Sequence, residues 1–146
     1  MRKTKAVSAF LALVFSLCLA GSAMAQVGSG PKSPPRDPEL EKSSKTNLEA
    51  GEFYIKNRKA YKAGIDRLEE VVATYPEYSR MDLVYYWLGI AYTGLSNQAE
   101  KANKKDEAAK NRAVAVKYYK QLLKEFPEGE LTADTKKALK ALGEEN

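Results

Sequence analysis

The chain has 146 residues, with 24 Lys and Arg against 19 Asp and Glu, a formal net charge of +5. It holds one cysteine and no histidine, which excludes His-based acid–base catalysis, Ser-His-Asp and Cys-His nucleophiles, and His-ligated metal sites. A chain of this length supports one domain around one hydrophobic core.

Arg2, Lys3 and Lys5 form a basic head, and Ala6 to Ala20 then run apolar except for Ser8 and Ser16. Ala23-Met24-Ala25 follows, with small residues three and one before a cut. Basic head, apolar run and small-residue site in that order predict a secretory signal peptide over 1–25, cleaved after Ala25. The apolar run is shorter than the roughly 20 residues a membrane-spanning helix needs, so no span is expected after cleavage. Cys18 follows Leu17 rather than a small residue, and lipidation there is not expected. The chain from Gln26 onward carries 21 basic and 19 acidic residues and no cysteine. An exported domain of that composition has no disulfide to lean on, and must rest on packing.

Gln26 to Ser44 contains Pro31, Pro34, Pro35 and Pro38, with Gly28 and Gly30, and almost no apolar residues. That composition predicts a disordered linker over 26–44. It suits a spacer and a leader without a role equally well.

From Thr46 onward Pro76 and Pro127 are the only prolines, and the apolar spacing is helical throughout. Leu48, Phe53, Tyr54 and Ile55 mark a first helix. Tyr61, Ile65, Leu68, Val71, Val72 and Tyr75 mark a second. Leu83 to Leu95 is apolar nearly all round and should be covered on both sides. Ala115, Val116, Tyr119, Leu122, Leu123 and Phe126 mark a fourth. Leu131 to Leu142 predicts a fifth, with Asp134 placed to cap its start and Gly143 to end it. No strand alternation occurs, so the expected fold class is all-α.

The second and fourth segments repeat each other. Ile65, Leu68, Val71, Val72, Tyr75, Pro76 and Glu77 recur 51 positions later as Val116, Tyr119, Leu122, Leu123, Phe126, Pro127 and Glu128. The first and third also match, as Ala50-Gly51-Glu52-Phe53-Tyr54 against Leu88-Gly89-Ile90-Ala91-Tyr92. A Gly in each lets two helices of a hairpin approach closely, and the terminal Pro stops the second helix. The pattern resembles the tetratricopeptide repeat, whose unit is about 34 residues. The excess falls mostly in Ser96 to Arg112, which predicts two lengthened helical arms with a turn near Asn97 to Asp106; a disordered loop is the alternative. The arrangement implied is a short right-handed solenoid of antiparallel hairpins over 45–143, about two and a half repeats.

The run from Glu49 to Leu95 is more specific. Gly51, Phe53-Tyr54, Lys56, Ala60-Tyr61, Gly64, Arg67, Glu69-Glu70-Val71, Tyr75-Pro76, Tyr85-Tyr86, Leu88 and Ala91-Tyr92 resemble the BamD-like family of outer-membrane β-barrel assembly lipoproteins. Tyr119, Leu122-Leu123 and Glu125-Phe126-Pro127 extend the likeness into the second unit. The resemblance implies a periplasmic, non-catalytic adaptor that binds an envelope protein or peptide segment and is associated with outer-membrane assembly. A second likeness is to the periplasmic Tol-linked cell-division coordinators of the CpoB (YbgF) type. A third reading is a self-associating repeat protein that pairs its exposed ends as a homo-oligomer.

The residues offer little chemistry. Glu69-Glu70 and Glu144-Glu145 are adjacent on helices, point about 100° apart, and read as solvated faces. Lys101, Lys104 and Lys105 are interleaved with Glu100, Asp106 and Glu107, so a nucleic-acid patch is not expected. No catalytic residue, cofactor site or metal site is expected. Tyr54, Tyr61, Tyr85, Tyr92 and Tyr119 fall on packing stripes, and Trp87 is expected to pack on the lengthened hairpin. If the hairpins stack as repeats do, the first helix of each lines a groove. The groove-facing residues are then Leu48, Glu52, Ile55 and Lys56, followed by Leu83, Tyr86, Ile90 and Thr93. The arms or the last helix folding over this stripe would leave it filled.

Overall fold

The computed structural model describes residues 36–144. The expected signal peptide over 1–25, and most of the expected linker, lie outside the described residues. Within them the protein is all-α: α1 (Pro38–Phe53), α2 (Tyr61–Thr74), α3 (Met81–Lys101), α4 (Lys105–Glu125) and α5 (Thr132–Ala141), with a π-helical turn over Tyr54–Arg58 after α1. Each helix packs against the next, and α1 also reaches α3.

The first helix starts earlier than expected. Residues 38–44, assigned to the linker from their neighbouring prolines, are helical. Pro38 occupies the first turn, where its missing N–H leaves no bond unmade. The Asp37 carboxylate accepts from the Glu39 and Leu40 backbone N–H groups at 2.9 and 3.2 Å, and Glu39 and Glu41 suit the positive end of the helix. Asp37-Pro38 is thus a helix start that a count of prolines reads as linker.

The core runs between the helices. Leu68, Val71, Val84, Leu88 and Leu122 are fully buried, each contributing about 1.5–3 kcal/mol by leaving water. α3 packs on α2 on one side and α4 on the other, which is why its sequence is apolar nearly all round. Glycines set how closely the helices approach. A Cβ on Gly51 would lie 2.7 Å from Leu68 Cγ, and one on Gly89 would overlap the Tyr119 ring. Leu68 and Tyr119 are the equivalent positions of the 51-residue repeat, so the two hairpins use the same contact with a larger filler in the second. Gly64 receives Ile55, and Gly94 receives the Tyr61 ring.

The segment from Ser96 to Arg112 is helical on both sides of a tight turn at Ala102–Lys104, inside the expected window. Small residues hold the arms together. Ala99 and Ala108 are buried, and the buried Ser96 hydroxyl donates to the Ala108 carbonyl at 2.9 Å. Asn103 takes the left-handed conformation, φ 57°. Its N–H bonds the Glu100 carbonyl and the Lys104 N–H bonds the Ala99 carbonyl, a Schellman end to α3. Gly143 (φ 82°) ends α5 the same way, through Gly143 N–H to Lys140 and Glu144 N–H to Leu139. The start of α5 differs from expectation. Asp134 does not cap it. The helix begins at Thr132, whose hydroxyl donates back to the Phe126 and Pro127 carbonyls at 3.1 and 3.3 Å. Asp134 lies inside the first turn, pairing with Lys137 at 3.2 Å.

Candidate functional site

A groove of about 530 Å³ lies between α1, the turn before α3 and the start of α3. α1 lines it with Glu41, Lys42, Lys45, Leu48, Glu49 and Glu52, while Tyr78, Ser79, Arg80 and Leu83 complete it. Three of the eight expected residues, Leu48, Glu52 and Leu83, therefore meet there. Leu48 is 5% exposed and forms the floor.

The other five do not line this groove. Ile55 is 1% exposed and turned into the hairpin, against the space left by Gly64. The π-helical turn that begins at Tyr54 explains the difference: it adds a residue to the turn, so α-helical spacing no longer gives the facing of Ile55 and Lys56. Lys56 is exposed and pairs with Glu52 at 3.6 Å. Tyr86 meets the Tyr119 ring edge-on at 6.4 Å and packs against the cluster of Ala115, Tyr119 and Leu139. Leu139 of that cluster belongs to α5. Ile90 packs on the main core, and the Thr93 hydroxyl donates to the Gly89 carbonyl at 2.8 Å.

Sequence reasoning missed Glu41, Tyr78 and Arg80. The Glu41 carboxylate accepts from the Ser79 N–H, at 3.2 Å to Oε1 and 3.3 Å to Oε2, tying α1 to the turn 38 residues away. Arg80 holds Asp82 through Nε at 3.1 Å. Burial, then the Glu41 carboxylate, raises the Tyr78 phenol above its ordinary range. These residues sit in the supposed linker and in a turn, where apolar periodicity carries no signal. Charges in the groove are of both signs and mostly paired, with Lys45 to Glu49 at 3.8 Å and Arg36 to Glu41 at 3.9 Å. Such a lining can orient the polar groups of a segment lying over an apolar floor.

A second feature corrects the reading of Glu69 as a solvated carboxylate. The Tyr92 hydroxyl donates to Glu69 Oε1 at 2.7 Å, and the Tyr118 hydroxyl approaches the same oxygen at 3.4 Å. The Tyr118 ring stacks between Tyr85 and Tyr92, with centroids 6.2 and 5.9 Å away. Gln121 donates to the Tyr85 hydroxyl at 3.0 Å. Tyr118 was not singled out from the sequence, because it neighbours the repeat position Tyr119 and falls off the core stripe. Burial pushes the Tyr85 and Tyr118 phenols to about 12 and raises Tyr92 as well, in part through its bond to Glu69. These phenols stay protonated near neutral pH, with Tyr92 and Tyr118 donating to Glu69 and Tyr85 accepting from Gln121. Trp87 is partly buried, its ring edge-on to Tyr86 at 6.0 Å.

A further cavity of about 470 Å³ lies along the arms, lined by Ala108, Ala109, Ala113 and Val116 with Glu100, Lys105, Arg112 and Glu144. Among the described residues no three of Asp, Glu, Cys and His are grouped as metal ligands would be, and no helix is long and apolar enough to cross a membrane. Comparison with protein-family models, with curated proteins and with solved structures gives no match.

Proposed function

We propose that this protein is a non-catalytic periplasmic adaptor: a short array of tetratricopeptide-like hairpins that binds a segment of another envelope protein in the groove between α1 and α3. The observation that carries the reading is the groove itself. It joins Leu48, Glu52 and Leu83 from the first helices of two sequence-related hairpins around one concavity of about 530 Å³. The repeated Gly contact, Gly51 on Leu68 and Gly89 on Tyr119, supports reading the hairpins as units of one repeat. The basic head, apolar run and Ala23-Met24-Ala25 support export. The BamD-like residues support a role at the outer membrane.

An extended or helical segment placing one or two Leu or Ile side chains against Leu48 and Leu83 would gain about 1.5–3 kcal/mol for each one fully desolvated. Photo-crosslinking in cells tests the assignment. A crosslinking residue at Lys45 or Glu52 is expected to give one discrete envelope-protein adduct, and one at Lys117, on α4, none. Leu83→Arg should remove the adduct while leaving helicity unchanged. Equal adducts from Lys117, or an adduct indifferent to Leu83→Arg, would place the partner elsewhere.

A further inference from the structure

The end of the first hairpin carries an exposed aromatic inside a run of cations. From Phe53 to Lys62 the sequence contains Lys56, Arg58, Lys59 and Lys62 and no acidic residue. All four cations are exposed. Only Lys56 has a carboxylate partner among the described residues, Glu52 at 3.6 Å. Phe53 is 44% exposed, the most exposed large hydrophobic among the described residues. The Arg58 guanidinium lies over its ring, 5.5 Å from the centroid, and Tyr54 meets it edge-on at 6.1 Å.

The backbone produces this concentration. The π-helical turn widens the end of α1, and Lys59 then adopts the left-handed conformation, φ 54°. The Ala60 N–H closes the turn on the Tyr54 carbonyl at 3.0 Å. The chain reverses within a few residues, so the cations before the turn and Lys62 after it share one end of the hairpin. A π-turn followed by a left-handed lysine is an uncommon way to end a helix. Here it presents charge and an aromatic ring together. The arm tip differs: there Lys104 is paired with Glu107 at 3.2 Å, and no aromatic residue is near it in sequence.

We propose that this tip, Phe53 with Arg58, Lys59 and Lys62, docks the protein on an anionic phospholipid surface. Unpaired cations are drawn to lipid phosphates, while an aromatic ring with a cation over its face suits the boundary between headgroups and acyl chains. A free cationic cluster complements a surface of uniform negative charge, and the single protruding ring gives that surface something apolar to accept. An acidic protein segment would use the cations but not the protruding ring. The proposal does not depend on the groove between α1 and α3 and extends beyond it.

Co-sedimentation with vesicles tests the proposal. The five helices enclose their own core, so the chain from Gln26 onward is used, and the apolar N-terminal run stays out of the assay. It is expected to sediment with phosphatidylcholine vesicles containing phosphatidylglycerol, not with phosphatidylcholine alone, and to be released by salt. At about fivefold per cation, the triple variant Arg58→Gln, Lys59→Gln, Lys62→Gln should bind on the order of a hundredfold more weakly. Phe53→Ser should weaken binding at unchanged charge. The pair Lys124→Gln, Lys136→Gln, on exposed cations toward the opposite end of the helices, should change it by less than about twofold, since those charges lie away from the patch. The substituted side chains are exposed, and circular dichroism checks that each variant keeps its helices. An equal loss per charge from that pair would overturn the proposal in favour of simple net charge. Binding to soluble polyglutamate but not to vesicles would overturn it in favour of an acidic partner, and vesicle binding indifferent to Phe53→Ser would overturn it in favour of attraction by charge alone. No vesicle binding at all would also overturn it.

Discussion

Gly89 and Thr135 show how single residues set the stability of this fold. Gly89 is mid-helix, where glycine is ordinarily about 1 kcal/mol worse than alanine. Here a Cβ would overlap the rigid Tyr119 ring, which is 2% exposed and has little room to move. Gly89→Ala is therefore expected to destabilise by about 1–3 kcal/mol in urea denaturation; a stabilised variant would show that the helices can separate freely. Thr135 works the other way. It is fully buried, and its hydroxyl has no hydrogen-bond partner. Thr135→Val keeps the shape and removes the unsatisfied group, so it should stabilise by about 1 kcal/mol. A loss of stability of similar size would mean the hydroxyl is satisfied in solution.

At the scale of elements, the turn between α3 and α4 decides whether the long arms stay in register. Asn103 takes the left-handed region, which asparagine tolerates and β-branched residues do not. Asn103→Gly should leave thermal stability within about 0.5 kcal/mol, while Asn103→Val should lower it by about 1–2 kcal/mol. Equal melting temperatures for the two would show that the arms do not depend on the turn. Helix type and order were legible in the sequence, because long apolar stripes at helical spacing and two terminal prolines leave little choice. The start of α1 was not, since Asp37-Pro38 sits in a polar, proline-rich stretch and its signal is a cap rather than a stripe. The π-turn was not legible either. It depends on Ile55 finding the space left by Gly64 and on Lys59 accepting a left-handed backbone, and neither has a period. That one turn removed Ile55 and Lys56 from the expected site.

For the whole molecule, the buried tyrosines couple stability to pH. The phenols of Tyr85, Tyr118 and Tyr119 are pushed up to about 12, chiefly by burial. Their folded values lie above the unfolded value near 10. Between the two the folded state binds more protons than the unfolded state, so stability falls as pH rises. The urea midpoint is expected to hold steady up to about pH 10 and then drop toward pH 12, and Tyr118→Phe should shallow that drop. A midpoint flat to pH 12 would contradict the burial of these rings.

The two hairpins, built on the same Gly contact and opening one groove at their junction, lead to the central claim that a partner segment lies against α1 and the start of α3. Methyl NMR of the protein titrated with the partner captured at Glu52 tests it most directly. Shifts centred on Leu48 and Leu83, with Val116 and Leu139 unmoved, are the expected result. Shifts centred on Val116 and the alanines of the arms, with Leu48 and Leu83 unmoved, would contradict it.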